Sequence, residues 1–366
     1  MRSFPGIPFA TASRFGAPVP APLSFGGNEP GPAAPQPPSR LERVMGSVSP
    51  PQSEDCLTLN VWSPEGAEGL PVLVFFHGGG YSSGSGGLPW YDGARLAEHG
   101  IVVVTANYRL GALGFAYLAS LADGLGAGNF GLQDTAAALR WVREHISAFG
   151  GDPSKVTAAG QSAGAYSLLS LLPREDLFAQ AILMSTPAGM PPARPEEATE
   201  TTELLLSALG VSAAELPRVD ASEIIAAQQK VAQVKPGVVP PFQLVGSEDP
   251  VVAAAESKVR ILLTATKDEG LAFGPEAGAL TEEFFVRPAR RFVDLLAANG
   301  NEAEWFEFDW APECSPFGAC HCIDLPFFFG TLDAFRDAPM LAGASRSELE
   351  DVVGRTQARV VSFVRG

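Results

Sequence analysis

Apolar residues in this chain fall in short unbroken runs rather than in alternation. "LTLNVW" (57–62), "PVLVFFH" (71–77), "GIVVVTANY" (100–108), "KVTAAG" (155–160) and "AQAILMS" (179–185) are each of strand length, and continuous apolar character predicts strands covered on both faces. Such strands form a mostly parallel sheet whose crossovers are helices lying on both faces. Helical spacing appears where those crossovers belong, in "LQDTAAALRWVREHISAF" (132–149) and in "AGAYSLLSLL" (163–172). Beyond residue 258 the rhythm resumes: "KVRILLTATKDEG" (258–270) and "EAEWFEFDW" (302–310) read as strands around the helical "TEEFFVRPARRFVDLLAANG" (281–300), and an amphipathic helix closes the chain.

Two stretches break this rhythm. Residues 16–53 are crowded with Pro, Gly and Ala, and fixed φ angles with missing donors exclude a long helix or a central strand, so irregular chain over a core is expected. Residues 187–258 set the helical pieces "EEATETTELLLSALG" and "ASEIIAAQQKVAQV" between prolines. The pattern predicts one α/β domain spanning 1–366, with a helical lid inserted at about 187–258.

Composition narrows the partners more than the fold. With 41 acidic against 25 basic residues the net charge of −16 repels phosphate backbones and anionic surfaces, which excludes nucleic acid as a partner. No run approaches the ~18 apolar residues of a membrane span, and the start "MRSFPGIPFATASRFG" lacks an apolar stretch of signal length, so a cytoplasmic protein is expected. Four cysteines are too few for a disulfide scaffold; Cys314, Cys320 and Cys322 share one loop and Cys56 stands alone.

The pattern G-x-S-x-G occurs twice, around Ser82 and around Ser162. Only Ser162 lies between an apolar strand and a helix, the setting of a nucleophile presented on a sharp turn; Ser82 sits in the Gly-rich "YSSGSGGLPWYDG" and reads as a loop residue. A serine hydroxyl is a weak nucleophile, so it needs a base, a group orienting the base, and donors aimed at the developing oxyanion. Of His77, His99, His145 and His321, only His321 follows Ser162, and α/β hydrolases carry their histidine on a loop beyond the late strands. "CHC" also allows His321 to be a metal ligand, with Cys314, Cys320 and Cys322 as a thiol or metal cluster, although no second ligand cluster exists. The acid belongs at the end of "ILLTATKDEG", where spacing does not choose between Asp268 and Glu269. "HGGG" (77–80) directly after a strand suggests backbone donors for the oxyanion.

Together these stretches, with "FPGIPFA" (4–10), "SEDCLTLNVWSP" (53–64), "GNFGLQDTAAALRWVREHISAFGGDPSKVTAAGQSAGA" (128–165) and "GACHCIDLPFFFG" (318–330), resemble the type-B carboxylesterases. That resemblance implies the α/β-hydrolase fold with a reduced lid and a serine carboxylesterase acting through an acyl-enzyme without metal or organic cofactor. It implies Ser162 as nucleophile, Glu269 rather than Asp268 as acid, His321 as base, and Gly79, Gly80 and Ala163 as oxyanion donors. Ser185 matches a family serine that orders polar groups behind the triad. The implied partner is a small-molecule ester, of short or medium chain or aryl type. Catalytically inactive adhesion relatives supply the competing reading, a binding protein. Departures from the family pattern are Gln161 where Glu is frequent, Cys56 with no upstream cysteine to pair with, no Trp before Trp62 to bind a choline-like cation, a start lacking the usual leading strands, and a shortened interval from Glu269 to His321.

Overall fold

The run Leu70–Phe76 is apolar throughout because both of its sides are covered. Val72, Val74 and Phe76 enter one hydrophobic core, and Leu73 and Phe75 enter a second on the opposite face of the sheet, as alternation of side chains along a strand requires. The structure, a computed structural model, describes residues 1–122, 126–174 and 176–366. Among these the main sheet has eight strands: β1 (Arg2–Pro8), β2 (Thr58–Ser63), β3 (Leu70–Phe76), β4 (Val102–Ala106), β5 (Gly151–Gln161), β6 (Gln180–Met184), β7 (Arg260–Thr266) and β8 (Ala303–Phe308). Their spatial order is β1-β2-β4-β3-β5-β6-β7-β8. Strand β2 is antiparallel to β1 and β4, and every other neighbouring pair is parallel.

Helices cover both faces. The first core takes Leu139 and Val142 of α1 (Phe130–His145), Leu168 of α2 (Ala163–Leu171) and Phe292 of α5 (Arg287–Ala298); the second takes Val353, Val360 and Phe363 of α6 (Arg346–Arg365). The helix expected over 132–149 tightens to a 3₁₀ turn at Ile146–Phe149 and stops at Gly150, which adopts φ 85°. The one expected over 281–300 opens as a π-helical turn, Thr281–Val286. Pro288, lacking an N–H, then stands in the first turn of α5.

One expectation changes. The sequence pattern predicts no strand before residue 57, yet β1 pairs with β2 at the sheet edge, with a register shift between Phe4 and Ile7. Pro5 and Gly6 hide the pattern, and an edge strand with a bulge accommodates both. The segment 187–258 holds α3 (Pro195–Leu209) and α4 (Ala221–Val234), and its Leu205, Ile224, Val231, Phe242 and Leu244 belong to the first core. Gln228 of α4 also accepts a hydrogen bond from Ala112 N at 2.8 Å.

A buried ion pair ties the N-terminal arm to this frame. Arg109 meets Asp134 of α1 with two bonds of 2.8 Å and donates to Gly16 O at 2.9 Å; the two side chains are 8% and 0% exposed. Removing one partner leaves a buried charge unpaired, which costs about 3–5 kcal/mol. Asp134→Ala is expected to lose stability of that order in urea denaturation, and a loss below about 1 kcal/mol would contradict the assignment.

Candidate active site

Strand β5 ends at Gln161 and α2 begins at Ala163, leaving Ser162 alone in the turn at φ 55°, ψ −120°. A non-glycine residue there carries strain of about 1–3 kcal/mol, held only by its surroundings. Here Ser162 N donates to Met184 O and Tyr166 N to Ser162 O, both at 2.9 Å. The flanking glycines are steric necessities: a Cβ on Gly160 would lie 2.6 Å from Gly164 C, and one on Gly164 would lie 2.2 Å from Phe76 O. Ser82 has no such setting. Its Oγ donates to Gly80 O at 3.1 Å within a loop of turns.

The loop after β3 passes directly over this turn. A Cβ on Gly78 would meet Gln161 Oε1 at 2.2 Å and Ser162 Cβ at 3.0 Å. Gly79 and Gly80 then take φ 105° and 59°. Neither they nor Ala163 N donates a hydrogen bond to the described residues. His77 fixes the loop from behind. Its Nδ1 donates to Gly78 O at 2.8 Å, its ring stacks on Tyr108 at 4.5 Å, and burial lowers its pKa to about 4, so it stays neutral.

His321 is buried on the loop after β8, its ring packed against both Phe273 (5.4 Å) and Phe285 (5.2 Å). Its Nδ1 pairs with Glu269 Oε2, and Glu269 Oε1 accepts from Thr266 N at 2.8 Å, so both carboxylate oxygens are engaged. The two candidate acids separate here. Asp268 instead accepts from Ala319 N at 2.9 Å, bracing the histidine loop against the end of β7. The other histidines lie elsewhere, His99 reaching Gln357 of α6 and His145 packing on Trp141.

Gln161 was singled out in the sequence for a missing charge, and its amide makes a contact that the sequence did not reveal. Its Nε2 donates to His321 Nε2 at 3.1 Å and to Cys322 Sγ at 3.3 Å. With Nδ1–H directed at Glu269, this donor favours the tautomer that leaves Nε2 as an acceptor. Ser162, Ala163, Gly79, Gly80 and His321 all line one cavity of about 220 Å³, with Phe242, Phe273 and Phe285 among its apolar walls. The 187–258 segment supplies Gln228 and Phe242 to that wall.

The sequence profile of the Carboxylesterase family matches residues 1–279. This chain belongs to the carboxylesterase family. It is 39% identical to a probable N-octanoylanthranilate hydrolase of Rhodococcus erythropolis, over 99% of this chain and 88% of that protein. It is 34% identical to the para-nitrobenzyl esterase of Bacillus subtilis, over 95% and 82%. A solved structure of PNB esterase superposes with a TM-score of 0.88 at 32% identity, covering 99% of this chain and 86% of that one. The carboxylesterase therefore has the α/β-hydrolase fold and is a carboxylic ester hydrolase acting on small-molecule esters. Among the described residues no helix is long and apolar enough to cross a membrane.

Burial disfavours the thiolate form of the two thiols that flank the histidine. Burial raises Cys320 to about 12 and Cys322 well above its ordinary value, while Cys314 is exposed. Cys56 is free and buried, its pKa likewise raised to about 12. Ser185 follows β6 at φ 48°, and its buried hydroxyl has no partner among the described residues.

Asp324, three residues past His321, carried no sequence signal, since acidic loop residues are commonplace. It is 3% exposed, and its Oδ1 has no hydrogen-bond partner among the described residues. Burial, reinforced by Glu269 and opposed by His321, raises its pKa to about 7. The native protein keeps a proton that the unfolded chain releases above the ordinary value of 3.8. Stability present below that value is therefore lost as pH rises to about 7. Asp324→Asn abolishes this loss, so relative to wild type it is expected to gain about 2–3 kcal/mol between pH 5 and pH 7. Urea midpoints at the two pH values check this, and parallel behaviour of the two proteins would contradict it.

Proposed function

We propose that this carboxylesterase hydrolyses short- to medium-chain or aryl esters through an acyl-enzyme on Ser162. His321 Nε2 takes the Ser162 proton as Oγ bonds to the ester carbonyl carbon, and the amides of Gly79, Gly80 and Ala163 stabilise the resulting oxyanion. Collapse expels the alcohol, which receives the proton from His321. Water, deprotonated by the same nitrogen, then attacks the acyl carbon and releases the acid and the Ser162 hydroxyl. Glu269 holds the imidazole in the productive tautomer and stabilises the imidazolium. The observation that carries this reading is the buried Glu269–His321 pair, whose ring lines the same cavity as Ser162 and three undonated amides. For the first step the Gln161 amide gives up His321 Nε2 to the Ser162 hydroxyl, a rearrangement of the kind that accompanies substrate binding. No metal or organic cofactor enters the scheme.

The substrate class rests on the cavity. At about 220 Å³ with phenylalanine walls, it lies below the roughly 300–1,000 Å³ of drug-sized pockets, which suits short acyl chains or one ring. In a p-nitrophenyl ester series, kcat/KM is expected to peak at acyl chains of about two to eight carbons and to fall at least about tenfold by dodecanoate. A rate that keeps rising to palmitate would overturn the substrate assignment.

A further inference from the structure

A second cavity, of about 260 Å³, lies on the opposite face of the sheet between β6, β7, β8 and α6. It shares no lining residue with the cavity at Ser162. Its apolar walls include Leu262, Phe306, Phe308 and Phe328. Two buried polar atoms on it, Asp324 Oδ1 and Thr264 Oγ1, have no hydrogen-bond partner among the described residues. Buried polar groups are almost always satisfied, and each exception calls for a partner. Asp324 opens the short helix Leu325–Phe329 without a side-chain capping bond, and the backbone amides that act on its carboxyl leave Oδ1 without a partner among the described residues.

The mouth has the opposite character. Arg355 and Arg359 of α6 line it and are exposed, as is Asp309, which follows β8. Arg355 is paired with Asp351 at 3.2 Å. Arg359 lies over the Phe306 ring at 4.3 Å and pairs with no carboxylate among the described residues.

We infer that this cavity is a second ligand site, taking a small aromatic carboxylate that carries a hydroxyl or amino group at the far end of its ring. The donor group reaches Asp324 and Thr264, the ring packs among the phenylalanines, and the carboxylate meets Arg359. Each part of the occupant follows from a feature of the wall: two unsatisfied polar atoms inside, aromatic faces along the length, and an unpaired guanidinium at the rim. The volume is below that of drug-sized pockets, which limits the occupant to about one ring with its substituents. This site shares no lining residue with the groups proposed to carry hydrolysis at Ser162.

Calorimetric titration of the full chain with 4-hydroxybenzoate tests it, with benzoate as the probe lacking the donor. One molecule is expected to bind, and benzoate is expected to bind more weakly. Thr264→Val, which removes only the hydroxyl, should weaken 4-hydroxybenzoate about three- to tenfold. Arg359→Ala, a change at an exposed position, should weaken it about two- to fivefold. Phe285→Ala, in the Ser162 cavity, should leave the affinity within about twofold, and Ser162→Ala likewise, whatever either does to turnover. No binding up to the solubility of the probe, affinity unchanged in both Thr264→Val and Arg359→Ala, or weakening confined to Phe285→Ala would each overturn the proposal.

Discussion

Ser162→Ala is expected to lower kcat/KM for p-nitrophenyl esters by about 10⁴-fold or more while leaving the melting temperature essentially unchanged. The asymmetry follows from the position of the hydroxyl. Ser162 makes its structural bonds through its backbone, to Met184 O and from Tyr166 N, so alanine keeps the turn and removes only Oγ. Residual turnover from the oxyanion donors and from binding sets the floor. The strain at φ 55° is retained in both proteins, so it does not register in the comparison. A variant with more than about a tenth of wild-type activity would mean that Ser162 is not the nucleophile.

Glu269→Gln carries the second-largest expected effect, a fall of about 10³–10⁴-fold in kcat/KM. Glu269 is fully buried and uses Oε2 for His321 and Oε1 for Thr266 N. If glutamine keeps the Thr266 bond through its carbonyl, it turns an N–H toward His321 Nδ1. The ring then responds by placing its own proton on Nε2, the nitrogen that has to accept from Ser162. The stability of the imidazolium falls as well, because its compensating charge is gone. Asp268→Asn is the matched control. Asp268 braces Ala319 rather than the histidine, so its loss should lower activity by less than about tenfold. Equal losses in the two variants would contradict the division of roles.

The distinction between these two adjacent acids illustrates what the sequence could and could not convey. Position after a strand was legible from the apolar run; which of Asp268 and Glu269 faces His321 depended on a turn that aims successive side chains differently. The core strands were legible because burial on both faces leaves an unbroken apolar signature. The edge strand β1 was not, because Pro5 and Gly6 interrupt it at the bulge. Helical pieces in 187–258 could be read from their spacing, but an apolar face does not say what covers it. Only the structure shows Leu205 and Phe242 in the same core as α1 and α2.

At the site, Ser162, His321 and the glycine loop were legible because strand, turn and helix contexts each left a mark of their own. Gln161 drew attention only as a missing charge, and its bond to His321 Nε2 depends on a side-chain direction that no spacing encodes. Asp324 and Thr264 left no mark at all. Their significance comes from lacking partners, a property of the packed protein rather than of the chain.

The central claim is that Ser162 is an activated nucleophile, and intact-mass analysis after treatment with a p-nitrophenyl alkylphosphonate tests it most directly. One phosphonyl adduct is predicted, mapped to the peptide containing Ser162, forming in step with loss of esterase activity and absent from Ser162→Ala. Inactivation with the adduct on another residue, or an unlabelled Ser162 in a fully active enzyme, would contradict the account.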